Sequence, residues 1–132
     1  MAYALEYLTR LVNRRAVVFL ISDFLAPEFN KALKIANKKH DIIAVVITDP
    51  REVELAPVGL VELEDAETGE TLLVDTGFPR FRDAFRRSRL NSLEKLYGNL
   101  NASGVDYISI MTDKPYVPSL VSFFRARANR WH

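Results

Sequence analysis

Two short apolar runs separated by a helical segment constrain the fold more than any other feature of this sequence. The runs are Ala16–Ile21 and Ile42–Ile47, and neither alternates with polar residues. Strands that are apolar on both faces are typical of parallel sheets covered by helices. The segment between them begins at Pro27, a favoured first-turn residue, and ends at Lys38-Lys39, which suits a helix C-terminus. Together they predict a right-handed parallel βαβ unit.

The rest of the chain completes one domain over residues 1–132. The other elements that apolar spacing predicts are helices at 2–13, 79–98 and 118–130, a hairpin of 59–63 with 71–75, and a third strand at 105–111. The polar face of the hairpin predicts a place at the sheet edge. With strands in chain order, both crossover helices share one face, and the first and last helices cover the other. The expected fold class is α/β, a three-layer Rossmann-like parallel sheet with an added hairpin.

The first strand of such a sheet has an open edge. Ala16–Ile21 contains no proline and no inward charge that would protect it. Either the hairpin or the first helix wraps over this edge, or more sheet belongs there, from missing sequence or from another subunit. Because unpaired backbone beside apolar side chains favours strand pairing, we expect a homodimer joined antiparallel across a two-fold axis. Exchange of the first helix between subunits is a variant.

Composition excludes several classes of function. The chain has 18 Lys and Arg against 17 Asp and Glu, and its net charge of +1 gives no global attraction to nucleic acid or an anionic membrane. Without cysteine it has no disulfide, thiolate nucleophile or cysteine-held metal. No apolar run approaches the roughly 20 residues that span a bilayer, and the first residues do not resemble a signal peptide. We expect a soluble, cytoplasmic protein.

Oxygen-bearing side chains follow each of the three predicted parallel strands. The pairs are Ser22-Asp23, Thr48-Asp49 and Thr112-Asp113. Ligands of open α/β sheets bind at these carboxyl ends, and such oxygens suit Mg²⁺. The same residue types also cap helices and make turns in any such fold. The enzyme alternative is therefore a divalent-metal-dependent phosphoryl-transfer or hydrolytic site on the three aspartates.

Arginines form a second candidate site on the long helix. They are Arg80, Arg82, Arg86, Arg87 and Arg89. Asp83 interrupts the cluster, and the phenylalanines of this helix have core spacing, which does not suit base stacking. A solvated basic face, or docking to an acidic protein partner through residues 82, 86, 87 and 89, is the favoured interpretation. Arg125, Arg127 and Arg130 on the last helix are interpreted in the same way.

No catalytic constellation is evident. His40 precedes a strand, at the sheet end opposite the acidic loops, and His132 is the last residue. Neither suits a triad with Ser22 or Ser119. Glycine-rich phosphate loops, nucleophile elbows and zinc-protease motifs are absent from the sequence. We therefore expect a protein that is not an enzyme.

An ordered set of segments resembles the bacterial domain-of-unknown-function 58 proteins. The segments are Arg14–Phe24, His40–Ala44, Asp49–Glu52, Asp65–Glu70 with Val74–Thr76, and Thr112–Pro118. These proteins are von Willebrand factor A-like and are often associated with MoxR-type AAA+ ATPases. The resemblance therefore implies a non-catalytic protein-interaction module that works with such an ATPase in assembly or maturation of protein complexes.

The same resemblance implies that the chain is the C-terminal part of that domain. The family's final metal-site aspartate corresponds to Asp23. Its Asp-x-Ser-x-Ser motif and a metal-site threonine have no counterpart in this sequence. No cofactor is therefore expected, and Mg²⁺ is expected only if the missing motif lies upstream of Met1.

Overall fold

The structure is a computed structural model that describes residues 1–25, 29–65 and 68–130. In chain order its elements are α1 (Ala2–Leu11), β1 (Val17–Ser22), α2 (Asn30–Lys39), β2 (Asp41–Thr48), α3 (Pro50–Val53), β3 (Leu60–Glu64), β4 (Thr71–Asp75), α4 (Pro79–Ala102), β5 (Asp106–Met111) and α5 (Val117–Arg130). The mixed α/β class and all five predicted strands are confirmed. The predicted helix start at Pro27 lies outside the described residues.

Three strands form a parallel sheet in the order β1-β2-β5, as the sequence predicts. Val18 is opposite Ile42, and Val45 is opposite Ile108. The predicted hairpin forms, but its place at the edge of this sheet is wrong. In the described residues β3 and β4 pair only with each other, as a separate antiparallel sheet. The open end of this hairpin is held together by Thr76, which is buried. The Thr76 hydroxyl donates to the Gly59 carbonyl at 2.7 Å.

The larger core lies on the face of the sheet that carries α1, α2 and α4. Leu33 of α2 and Leu100 of α4 pack there with Ile42, as the crossover rule predicts. The expectation that α1 covers the opposite face is wrong, because Leu5 of α1 belongs to this same core. Lys39 Nζ also donates to the Thr9 carbonyl at 2.5 Å, which holds α1 beside α2.

Among the described residues, the opposite face is covered by α5 alone, and only over part of its width. Leu120 and Phe123 pack on Ile43, Val45 and Ile108, the outward residues of β2 and β5. Phe124 of the same helix is exposed, and its ring meets the Phe19 ring edge-on at 6.1 Å. The core of this face therefore stops at β2.

β1 consequently differs from the prediction that it is buried on both faces. Val17, Phe19 and Ile21 are 59%, 48% and 67% exposed, whereas β2 is buried along most of its length. Both strands are built from a continuous run of apolar residues. What separates them is position, since β2 has a strand on each side and β1 is paired only with β2 in the described sheet.

One helix end and one additional short helix differ from the prediction as well. α4 continues through Gly98 to Ala102, because Leu100 is fully buried beyond that glycine. The chain turns at Gly104, where φ is +69°. α3 was not predicted, although Asp49 before Pro50 is a typical start for a short helix.

Candidate functional site

The residues after β1 close a tight turn. Ser22 Oγ accepts a hydrogen bond from the Phe24 amide at 3.0 Å, and Asp23 Oδ1 accepts one from the Leu25 amide at 3.1 Å. Phe24 has a left-handed φ of +56°, and its buried ring packs edge-on against Phe29 at 5.3 Å. Ser22 and Asp23 therefore have local roles that hold the chain in an otherwise unfavourable conformation.

Asp49 is held by its own helix turn. Its Oδ1 accepts from the Arg51 amide at 2.9 Å, and its Oδ2 pairs with Arg51 Nη2 at 2.9 Å. The side-chain hydrogen bond from Arg51, followed by the backbone one, lowers the pKa of Asp49 below its ordinary value. The same partner raises the pKa of the Arg51 guanidinium. A divalent cation would have to displace that guanidinium from the carboxylate.

The third strand end is joined to the second through the backbone. The Thr112 amide donates to the Thr48 carbonyl at 3.0 Å, while Thr48 itself is buried. Thr112 and Asp113 are exposed. Among residues 1–25, 29–65 and 68–130, no three His, Cys, Asp or Glu side chains come together in a way that could hold a metal. With Asp23 and Asp49 engaged in turns, the predicted residues do not fit a magnesium site by themselves.

Three of the four arginines predicted to bind a partner make contacts within the chain instead. Arg82 Nη1 donates to the Thr76 carbonyl at 2.7 Å, and Arg89 Nε donates to the Glu52 carbonyl at 3.0 Å. Arg86 pairs with Glu54 at 3.4 Å, with both side chains exposed. These contacts tie α4 to the hairpin base and to the α3 segment. Arg87 is exposed, on a shallow polar face that it shares with Ser88, Asn91 and Lys95.

An ion-pair cluster at the amino end of the sheet corrects the interpretation of the last helix. Arg127 hydrogen-bonds Asp41 at the start of β2 and lies 3.7 Å from Asp106 at the start of β5. Arg130 pairs with Asp106 at 2.8 Å. Arg127 and Arg130 are therefore not a free basic face. The i, i+3 spacing of two arginines was the available signal, but their partners are distant in sequence.

His40 lies at this same end and is fully buried. Its Nδ1 accepts from the Ala16 amide at 3.2 Å, and its Nε2 has no hydrogen-bond partner within the described residues. It joins the starts of β1 and β2 and is remote from the acidic loops. His132 lies outside the described residues, and Ser119 lies in the first turn of α5.

An exposed apolar surface is formed by β1 and α5. We call it the β1/α5 surface: Val17, Phe19 and Ile21 of the strand, with Val117, Val121 and Phe124 of the helix, all of them exposed. The Phe19–Phe124 ring contact makes the two rows continuous. The outer backbone edge of β1 runs along it and pairs with no strand in the described part of the chain. Contiguous apolar surface of this kind is typical of an interaction site.

None of the helices in the described residues is long and apolar enough to cross a membrane. The candidate site has two parts, the acidic strand ends at one end of the sheet and the apolar open edge at its side.

Comparison with known proteins agrees with the resemblance seen in the sequence. The profile of "Protein of unknown function DUF58" matches residues 1–95. The chain is 31% identical over 130 residues to an uncharacterised Mycobacterium avium protein, an alignment that covers 96% of this chain and 75% of that protein. Uncharacterised proteins of Mycobacterium bovis and Mycobacterium tuberculosis are each 32% identical over 130 residues, which is 96% of this chain.

The chain spans 40% of the length of the Mycobacterium bovis and Mycobacterium tuberculosis proteins. No solved structure matches it. The family profile covers more than half of the chain, so this protein belongs to the DUF58 family of proteins of unknown function.

Proposed function

We propose that this chain is a non-catalytic protein-interaction module. The observation that carries the proposal is the β1/α5 surface, an exposed apolar row beside an unpaired strand edge. A free edge offers backbone donors and acceptors to another chain, and apolar side chains beside it add affinity. The acidic strand ends provide a second contact region of different chemistry.

The interpretation as a module without catalysis is supported by what the acidic side chains do. Asp23 and Asp49 accept backbone hydrogen bonds within their own turns. Asp49 is also neutralised by Arg51. Groups that serve local geometry in this way are poorly placed to act as general bases or to bind a catalytic ion.

The partner that we propose for the acidic end is a MoxR-type AAA+ ATPase, acting in assembly or maturation of protein complexes. This identification rests on the family resemblance. The contact residue that we propose is Asp113, which is exposed on the loop after β5. Its side chain has no hydrogen bond or ion pair among the described residues, so it is available to a partner.

We also propose that the chain is the C-terminal part of a von Willebrand factor A-like domain. Support comes from the three parallel strands in chain order and from the match of Asp23 to the family's final metal-site aspartate. The test is the reading frame upstream of Met1. An encoded Asp-x-Ser-x-Ser motif is the expected result, and a frame without it contradicts the proposal.

The test of function uses the purified chain and the MoxR-type ATPase encoded in the same genome. The ATPase is held assembled with a non-hydrolysable ATP analogue, and binding to the immobilised chain is measured. We expect saturable binding that Asp113→Lys weakens about tenfold, since reversal of a contact charge costs roughly 1–2 kcal/mol.

The matched control is Glu94→Lys, the same charge reversal on the exposed side of α4. It should leave binding unchanged. Equal weakening by both variants would indicate non-specific electrostatics, and no binding of the assembled ATPase by wild type would refute the partner.

A further inference from the structure

We propose that one face of the β3/β4 hairpin binds a basic amphipathic helix of a protein partner, with Leu60 and Leu73 as its apolar contacts. The inference goes beyond the function proposed above, since it assigns a further surface to the interaction module. It depends neither on Asp113 nor on the identity of the ATPase. Two properties of the hairpin support it: one of its faces is uncovered, and its charged side chains are all acidic.

The uncovered face is defined by the register of the two strands. Directly opposed residues of an antiparallel pair lie on the same face, and successive residues alternate between faces. The three opposed pairs on one face, which we call the hairpin outer face, are Leu60 with Asp75, Glu62 with Leu73, and Glu64 with Thr71. Five of these side chains are exposed, and Asp75 is half-buried.

The hairpin outer face has an apolar centre. Leu73 is opposite Glu62, two residues after Leu60, so Leu60 and Leu73 are diagonal neighbours. Such neighbours lie about 7–8 Å apart, within reach of long side chains. The other face of the hairpin is more covered, since Val74 is buried there and Leu63 is half-buried. A two-stranded sheet is only marginally stable in water, and it gains stability when another element packs on it.

Carboxylates surround the two leucines. Glu62 and Glu64 are exposed, and their side chains have no hydrogen bond or ion pair among the described residues. From Glu52 to Phe78 the sequence has eight acidic residues and no lysine, arginine or histidine, although the net charge of the whole chain is +1. An apolar centre with a polar rim is typical of a protein interface. An acidic rim is complementary to a basic partner.

The dimensions of the hairpin outer face match one helix. Two strands about 4.8 Å apart make a face about 10 Å wide, which is the diameter of an α-helix. Five residues at about 3.4 Å each give a length of about 17 Å, or about three helical turns. A helix with an apolar stripe between rows of lysine or arginine would place the stripe over Leu60 and Leu73 and its cations beside Glu62 and Glu64.

The exposure of this face is independent of the β1 edge. The hairpin follows β2 and leads through α4 to β5. A strand encoded upstream would join the sheet beside β1, on the other side of β2. Such a strand pairs with β1 and leaves the pairing of β3 with β4 unchanged.

The experiment is a calorimetric titration of the 132-residue chain with a synthetic helical peptide. The peptide has about 12 residues, leucine at the i, i+3, i+4 and i+7 positions and lysine elsewhere. We expect saturable binding of this peptide and none of the same peptide with glutamate in place of lysine. Glu62→Lys should weaken binding of the lysine peptide about tenfold, because it reverses a contact charge.

Leu73→Thr and Leu72→Thr are the matched variants. The two leucines are adjacent and are 64% and 65% exposed, but they lie on opposite faces of the hairpin. Threonine keeps the preference for a strand at both positions. Leu73→Thr should weaken binding about tenfold, since it removes an apolar contact from the centre of the face. Leu72→Thr should bind as wild type does.

Absence of saturable binding to wild type would overturn the proposal. Equal binding of the glutamate peptide, or equal weakening by Leu72→Thr and Leu73→Thr, would overturn it as well, because the charge or the face would then be wrong. Slower hydrogen exchange at the outward amides of β3 or β4 would show that the peptide adds as a strand, which contradicts a helix as the occupant.

This proposal and the ATPase partner fail separately. The peptide titration contains no ATPase, so a chain that does not bind the peptide leaves the contact at Asp113 intact. A chain that binds no ATPase but distinguishes Leu73→Thr from Leu72→Thr refutes the ATPase partner alone.

Discussion

Replacing Arg127 by glutamine should loosen α5 from the sheet. In the described part of the chain, α5 contacts the core through half-buried Leu120 and Phe123, and no residue of the helix is fully buried. Arg127 adds a polar attachment at the far end of the helix, to Asp41 and Asp106. The helix is therefore held at two places, and Arg127 is the less exposed of the two arginines that make the second attachment.

The size of the effect follows from burial. The Arg127 and Asp41 side chains are 13% and 26% exposed, so the pair lies between a surface ion pair and a buried one. Breaking a buried pair costs about 3–5 kcal/mol, and a surface pair contributes about 0–1 kcal/mol. We expect Arg127→Gln to lower the free energy of unfolding by about 2–3 kcal/mol. Asp106 retains Arg130, which limits the loss.

The control is Arg130→Gln, which removes a more exposed arginine from the same helix and should cost less than about 1 kcal/mol. Urea unfolding at one fixed chain concentration, followed by circular dichroism, measures both losses. A loss for Arg127→Gln no larger than for Arg130→Gln would refute the reasoning. The reasoning would also be refuted if Arg127→Gln and Arg130→Gln still differed in their loss of unfolding free energy when each was combined with Asp41→Asn.

The pH dependence of this contribution has a definite sign. The hydrogen bond to Asp41 raises the pKa of Arg127 above its ordinary value, against the opposing effect of burial. A raised pKa means that the stabilisation is present at all pH values below the unfolded pKa and is lost only as pH rises through the folded one. The cost of Arg127→Gln should therefore be constant from about pH 6 to 10.

Three further predictions concern the hairpin base and the acidic loops. Thr76→Val should lower the free energy of unfolding by about 1–3 kcal/mol in urea titrations, because its buried hydroxyl satisfies two backbone groups at the start of β3. The lowered pKa of Asp49 means that its stabilising contacts are present above the ordinary value of 3.8 and are lost as pH falls through the folded pKa; in carbon-detected NMR titration, Arg51→Ala should move that pKa back up. Calorimetric titration of Mg²⁺ should give no saturable signal for wild type or for Asp23→Ala, and a saturable wild-type signal that Asp23→Ala abolishes would favour the enzyme alternative.

The strands and their order were predictable because a strand of a parallel sheet is buried on both faces and is therefore a continuous apolar run. A helix that packs on such a sheet is apolar on one face only. Because edge and central strands are both continuous apolar runs, the runs alone do not indicate which strand lies at an edge of the sheet. The runs that become β1 and β2 are both continuously apolar, yet only β2 is buried on both faces. The burial of a strand depends on how many strands and helices lie beside it, and its own apolar sequence does not indicate that number.

Long-range contacts account for the other errors. The face chosen by α1 is decided by its packing beside α2, through Leu5 and Thr9, and either face suits its apolar spacing. Asp41 and Arg127 are separated by 86 positions, so their pairing could not be deduced from helical periodicity. The acidic residues do lie at the strand ends, as predicted. Their hydrogen bonds to neighbouring amides, and that of Asp49 to Arg51, depend on turn geometry, which cannot be deduced from the residue types alone.

The exposed row of β1 follows from how helices are distributed over the sheet. Neighbouring strands lie about 4.8 Å apart and a helix is about 10 Å across, so one helix covers roughly two strands. Within the residues that the structure describes, three helices cover one face of the three-stranded sheet and α5 alone covers the other. Its attachment to Asp41 and Asp106 fixes it over β2 and β5. Val17, Phe19 and Ile21 therefore stay exposed unless α5 gives up those ion pairs. Cover for that row must come from beside α5, along the same edge where the backbone of β1 is free to pair.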